Sequence, residues 1–100
     1  MPLFKKWSSF KKSNTSVETD AFGIYELADK DGNIIYIGQG RISSRLNSHF
    51  LNSRHPIPKA SYYRAEVVGS KERAEQRERS EIRAHKRSYG HCPSYNMRLG

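Results

Sequence analysis

Cysteine is all but missing from this chain: Cys92 stands alone among 100 residues. A single thiol makes no intramolecular disulfide and suits a reducing compartment, so a cytoplasmic location is expected. Long apolar runs are missing too, and nothing approaches the ~20 residues that span a bilayer. The first stretch, Met1-Pro2-Leu3-Phe4-Lys5-Lys6-Trp7, has no apolar h-region of the kind a signal peptide carries. Acidic residues are scarce beside basic ones, 10 against 18, for a net charge of +8. That balance points to a polyanionic partner, with nucleic acid ahead of an anionic membrane surface. The length suits one small domain, and there is no internal repeat.

The chain is organised around two tyrosine-bearing runs, Gly23-Ile24-Tyr25 and Tyr36-Ile37-Gly38. Each lies in an apolar stretch of strand-like composition. Between them, Asp29-Lys30-Asp31-Gly32-Asn33 holds the residues that turns demand. A turn from Lys30 to Asn33 pairs Leu27 with Tyr36 and Tyr25 with Gly38. Since side chains alternate with period two, both phenols then share a sheet face. Upstream, residues 1–19 form a basic N-terminal arm or short helix, with Leu3, Trp7 and Phe10 at helical spacing. Residues 20–100 form the domain proper.

Ile42, Leu46, His49 and Phe50 share one face of a helix that starts after Gly40, with Arg45 at its edge. Pro56 and Pro58 mark a loop. Ser61–Gly69 alternates as a third strand, with Tyr63, Ala65 and Val67 on one side. A helix then runs from Lys71, capped by Ser70, to Gly90. Its inward arc holds Ala74, Glu78, Glu81, Ile82, His85 and Tyr89. A carboxylate among core-facing positions costs free energy unless it is paired or binds a metal. Glu78 lies near the middle of the arc, and Glu81 is its rival.

Tyr25, Tyr36, Arg45, His49 and Glu78 are therefore inward or edge polar residues, and together they suit phosphodiester hydrolysis. One carboxylate can hold a Mg²⁺ that keeps most of its waters. Arginine matches a phosphate bidentately and keeps its charge. A tyrosine or histidine can orient and deprotonate water. Two other metal readings fail on spacing. His85, His91 and Cys92 lack zinc-ligand spacing. Asp29-Lys30-Asp31-Gly32 has its glycine too early for an EF-hand.

The two triplets resemble those that name the GIY-YIG nuclease superfamily. Arg45-Leu46-Asn47-Ser48-His49 resembles its first-helix motif, Glu78-Arg79-Ser80-Glu81-Ile82 its metal-binding glutamate, and Pro93-Ser94-Tyr95-Asn96 its closing motif. The likeness covers about Ala21 to Arg98. Gln39 stands where many members carry lysine, and the loop before Arg45 is about one residue shorter. The resemblance implies an α+β fold, a small three-stranded antiparallel sheet flanked by helices. It implies a DNA endonuclease with one Mg²⁺ or Mn²⁺ on Glu78 and with Arg45 on the scissile phosphate. Tyr25 or Tyr36 would handle the water, assisted by His49, and Asn96 would tie the glutamate region to the tyrosine strands. The alternative is a catalytically inactive nucleic-acid-binding module of the same fold. Arg41, Arg45, Arg73 and Arg77 are the expected nucleic-acid contacts. DNA is the expected partner, with RNA left open and no membrane. Substrate choice would come from the basic helix, the arm, a homodimer or a recruiting protein.

Overall fold

Asp29 sets the first turn. Its Oδ1 accepts from the backbone N–H of Asp31 at 3.0 Å and of Asn33 at 2.9 Å, which reverses the chain. The computed structural model describes residues 6–96. On either side of the turn run two strands, here β2 (Phe22–Ala28) and β3 (Ile34–Arg41). They pair antiparallel with Tyr25 opposite Gly38 and Leu27 opposite Tyr36, as expected. Nearer the turn Ala28 faces Ile34, so an irregularity between Leu27 and Ala28 shifts the register by one residue, which the turn length alone does not predict. The other elements are β1 (Ser8–Ser9), α1 (Lys12–Thr15), α2 (Ile42–Asn47), β4 (Tyr62–Val67) and α3 (Lys71–Tyr89). The sheet is antiparallel in the order β1-β4-β2-β3. The expected three strands form its centre, and β1 adds a short fourth.

That fourth strand corrects the N-terminal expectation. Trp7 and Phe10 do not share a helix, and Leu3 lies outside the described residues. Ser8 and Ser9 pair instead with Tyr63 and Tyr62. The outer edge of β4 offers unpaired backbone groups, and satisfying them outweighs a weak helical pattern in so short a segment. Trp7 lies against the Arg64 guanidinium, 4.1 Å from its ring centroid. Phe10 stacks on Phe50 at 4.3 Å.

One sheet face carries Tyr25, Leu27, Tyr36, Tyr63 and Ala65, packed on Ile42 and Leu46 of α2 and on Ile57. The opposite face packs Ile24 on Ala74 of α3. It also buries Glu26, whose carboxylate accepts from Arg64 Nε at 2.6 Å. Burial pushes that carboxyl up, and the guanidinium beside it opposes the shift. In α3, the Ser70 side chain accepts from the Arg73 N–H at the start, and Gly90 closes the end. Three expectations shift. Helix α2 stops at Asn47, so His49 lies in the following turn. Tyr89 is exposed at the end of α3, and Val67 is exposed at the end of β4.

Candidate active site

Tyr25 leaves β2 on the α2 side of the sheet and is fully buried. Its ring leans across Gly38 on β3. A methyl there would collide with the Tyr25 hydroxyl and with the Tyr36 ring, so the second triplet needs glycine to admit the first triplet's phenol. The two rings lie 6.1 Å apart. His49 contacts both, at 5.6 Å from Tyr25 and 5.1 Å from Tyr36. Gly40, at φ +130, lets the Arg45 stem pass close to the strand.

The hydrogen bonds of His49 determine its tautomer. Nδ1 is 2.8 Å from the His55 carbonyl, which can only accept, so Nδ1 carries the hydrogen. Burial drives the imidazole down to about 4, so the ring is neutral at ordinary pH and Nε2 is bare. The Tyr25 hydroxyl, 2.7 Å from Nε2, therefore donates to it. The order is Tyr25 O–H to His49 Nε2, then His49 Nδ1–H to the His55 carbonyl. Two backbone bonds hold the loop that supplies this carbonyl. His55 N–H donates to Ser48 O at 2.9 Å, and Ile57 N–H donates to His49 O at 3.0 Å.

Charge converges on the same phenols. Burial raises the Tyr25 hydroxyl far above the usual phenol range. Neighbouring Tyr36 adds to the rise and the Arg45 guanidinium opposes it. Burial raises Tyr36 as well, again against Arg45. Glu78 is half-buried on α3; burial pushes its carboxyl up, while Arg45 and then Arg79 pull it down. Its charge acts on both tyrosines. Among the described residues no ion pair joins Arg45 to Glu78. Glu81, one turn on, is buried, and its charge acts on Glu26 and Arg77 instead. Electrostatics thus connect Glu78, and not its rival, to the phenols.

No three of His, Cys, Asp and Glu are grouped to hold a metal among the described residues. A zinc-type cage is therefore not built here. The donor set does fit a hard cation that keeps most of its waters: one carboxylate, disfavoured as a lone charge by burial, beside oxygen-bearing phenols.

A family model described as a domain of unknown function, DUF7508, matches residues 1–87. The chain belongs to this family. No curated protein matches it. Among solved structures, it is similar to the GIY-YIG N-terminal endonuclease domain of UvrC from Thermotoga maritima. Identity is 26% and the TM-score 0.65, over 84% of this chain and 91% of that one. That neighbour is a tyrosine-to-phenylalanine point mutant bound to its catalytic divalent cation. This DUF7508 chain accordingly has a GIY-YIG-like α+β fold.

The remaining expected residues fall elsewhere. Asn96 clamps β3: its Oδ1 accepts from Ile37 N–H at 2.8 Å, and its Nδ2 donates to Ile37 O at 2.9 Å. With Tyr95 N–H bonded to Ile35 O at 2.9 Å, the tail covers the outer edge of β3. Arg41 is exposed, 3.7 Å from Asp20 and over the Phe22 ring. Arg73 is exposed on α3. Arg77 donates to both Glu66 oxygens, at 3.1 and 3.4 Å, so its charge is already matched. The sequence reading overlooked His55, whose contribution is a backbone carbonyl; that group has no residue signature. No helix among the described residues is long and apolar enough to cross a membrane.

Proposed function

We propose that this chain is a metal-dependent endonuclease that hydrolyses DNA phosphodiester bonds. The observation that carries the reading is the ordered Tyr25–His49–His55 hydrogen-bond chain beside Arg45 and Glu78. The likeness to an endonuclease domain with a catalytic divalent cation supports it.

Glu78 would hold the cation, Mg²⁺ or Mn²⁺, which when bound supplies charge stabilisation at the phosphate and the leaving oxygen. Arg45 binds the scissile phosphate, and its guanidinium stays charged between the two phenols. A free phenolate is disfavoured at Tyr25, because burial holds the hydroxyl protonated. The base is therefore a relay. Attacking water passes its proton to the Tyr25 oxygen while the Tyr25 proton moves to His49 Nε2. The entering phosphate raises His49 basicity at that moment by placing an anion near the ring. Tyr36 orients the water from the adjacent strand. Asn96 keeps β3, and with it Tyr36, in register. Arg41 and Arg73 contact neighbouring phosphates.

The test is cleavage of plasmid and oligonucleotide DNA with Mg²⁺, with Mn²⁺ and with EDTA. Wild type should cut only with metal, and Glu78→Gln and Arg45→Ala should lose cutting while staying folded. Salt-dependent DNA binding with no cleavage of any substrate would overturn the enzyme reading in favour of an inactive binding module. Full cleavage by Glu78→Gln would remove Glu78 from the metal site.

A further inference from the structure

A cavity of about 380 Å³ opens beside the candidate site. Tyr36, Arg45 and His49 form its inner end. Its outer walls are Arg54 and His55, from the loop after α2, and Tyr95, from the tail. Arg54 and Tyr95 have no part in the chemistry proposed above, and His55 enters it only through its backbone carbonyl. Among the described residues no carboxylate lines the cavity.

The walls are held before any ligand arrives. The His55 N–H and carbonyl are both bonded to the Ser48–His49 turn. Tyr95 is bonded through its N–H to β3 and packs on the core around Tyr36. Two guanidiniums lining one cavity with aromatic and imidazole rings match a nucleotide: the charges take phosphates and a ring takes the base. The volume suits a small ligand of that size. A base stacked inside a duplex is out of reach for such a pocket, because the base must leave the stack to enter.

We infer that this cavity is a subsite for one unpaired nucleotide beside the scissile phosphate, with Arg54 on its phosphate and Tyr95 against its base. The inference rests on the nuclease reading for its substrate strand. It makes the favoured substrate a single-stranded, flapped or mismatched stretch over continuous duplex.

Fluorescence anisotropy in EDTA tests it without turnover. A labelled short single strand and a blunt duplex of the same sequence are titrated with wild type, Arg54→Ala, Tyr95→Leu and Arg83→Ala. The last removes one exposed charge on α3, away from the cavity. Arg54→Ala and Tyr95→Leu should each weaken single-strand binding about tenfold, with little change on duplex. Arg83→Ala should match wild type on the single strand. A Tyr95→Leu that unfolds by circular dichroism leaves the decision to Arg54→Ala, which alters an exposed side chain. Wild-type single-strand affinity in Arg54→Ala overturns the subsite, as does an equal loss on duplex. The two readings fail separately. Metal-dependent cleavage with unaltered Arg54→Ala binding sinks the subsite alone. Selective loss of single-strand binding in a protein that cuts nothing sinks the enzyme alone.

Discussion

Replacing His49 by glutamine should flatten the acid limb of this protein's stability. In the folded chain the imidazole titrates at about 4, against 6.5 unfolded. The shift comes first from burial, the ring being only 2% exposed. A histidine held neutral destabilises the fold in acid. Above pH 6.5 neither state binds the proton and stability is intact. As pH falls through 6.5 towards 4 the unfolded chain takes up a proton that the folded chain refuses. At about pH 5 linkage gives a loss of about 2 kcal/mol, and below the folded value the full loss approaches about 3 kcal/mol. Glu26 and Glu78, both raised by burial, act in the opposite sense and gain stability as pH falls. The measurement must therefore be a difference. Urea unfolding of wild type and His49→Gln at about pH 7.5 and pH 5 isolates the term. The variant should be less stable at neutral pH, having lost its bond from Tyr25, and should close most of the gap in acid. A gap of the same size at both values, or an NMR titration of His49 near 6.5, would refute the burial-held neutral imidazole on which the relay rests.

Tyr25→Phe removes only the relay's hydroxyl. Because it leaves the buried His49 Nε2 without its donor, it should cost about 1–3 kcal/mol of stability, and 10²- to 10⁴-fold in cleavage rate, measured by single-turnover gel assay. Gly38→Ala drives a methyl into the Tyr25 and Tyr36 rings, so thermal denaturation should show a loss of about 1–3 kcal/mol together with lost cleavage. Asn96→Ala breaks both bonds to Ile37 and should cost about 1–3 kcal/mol, with faster exchange of the Ile37 amide by NMR.

Local chemistry wrote the hairpin. Asp29 and Asn33 dictate the turn, the bulge between Leu27 and Ala28 sets the register beyond it, and period-two alternation then puts Tyr25 and Tyr36 on one face. The Ser70 cap and the Gly90 stop of α3 were equally legible, because each acts within one helical turn. Helical periodicity misjudged the N-terminus, since an open β4 edge competes for Ser8 and Ser9. It also carried α2 too far, since the chain leaves the helix at Ser48 to receive the loop at His55. The inward arc of α3 named two carboxylates. The resemblance favoured Glu78, and packing supplies the physical difference: the charge of Glu78 acts on the phenols and feels Arg45, while that of Glu81 acts on Glu26. The direction of the Tyr25–His49 bond was likewise decided by tertiary structure. It depends on a backbone carbonyl six residues beyond His49, and any residue at that position supplies the same carbonyl. Residue types determined which groups this protein has for chemistry; the closure of loop and tail around them decided which way the proton can move.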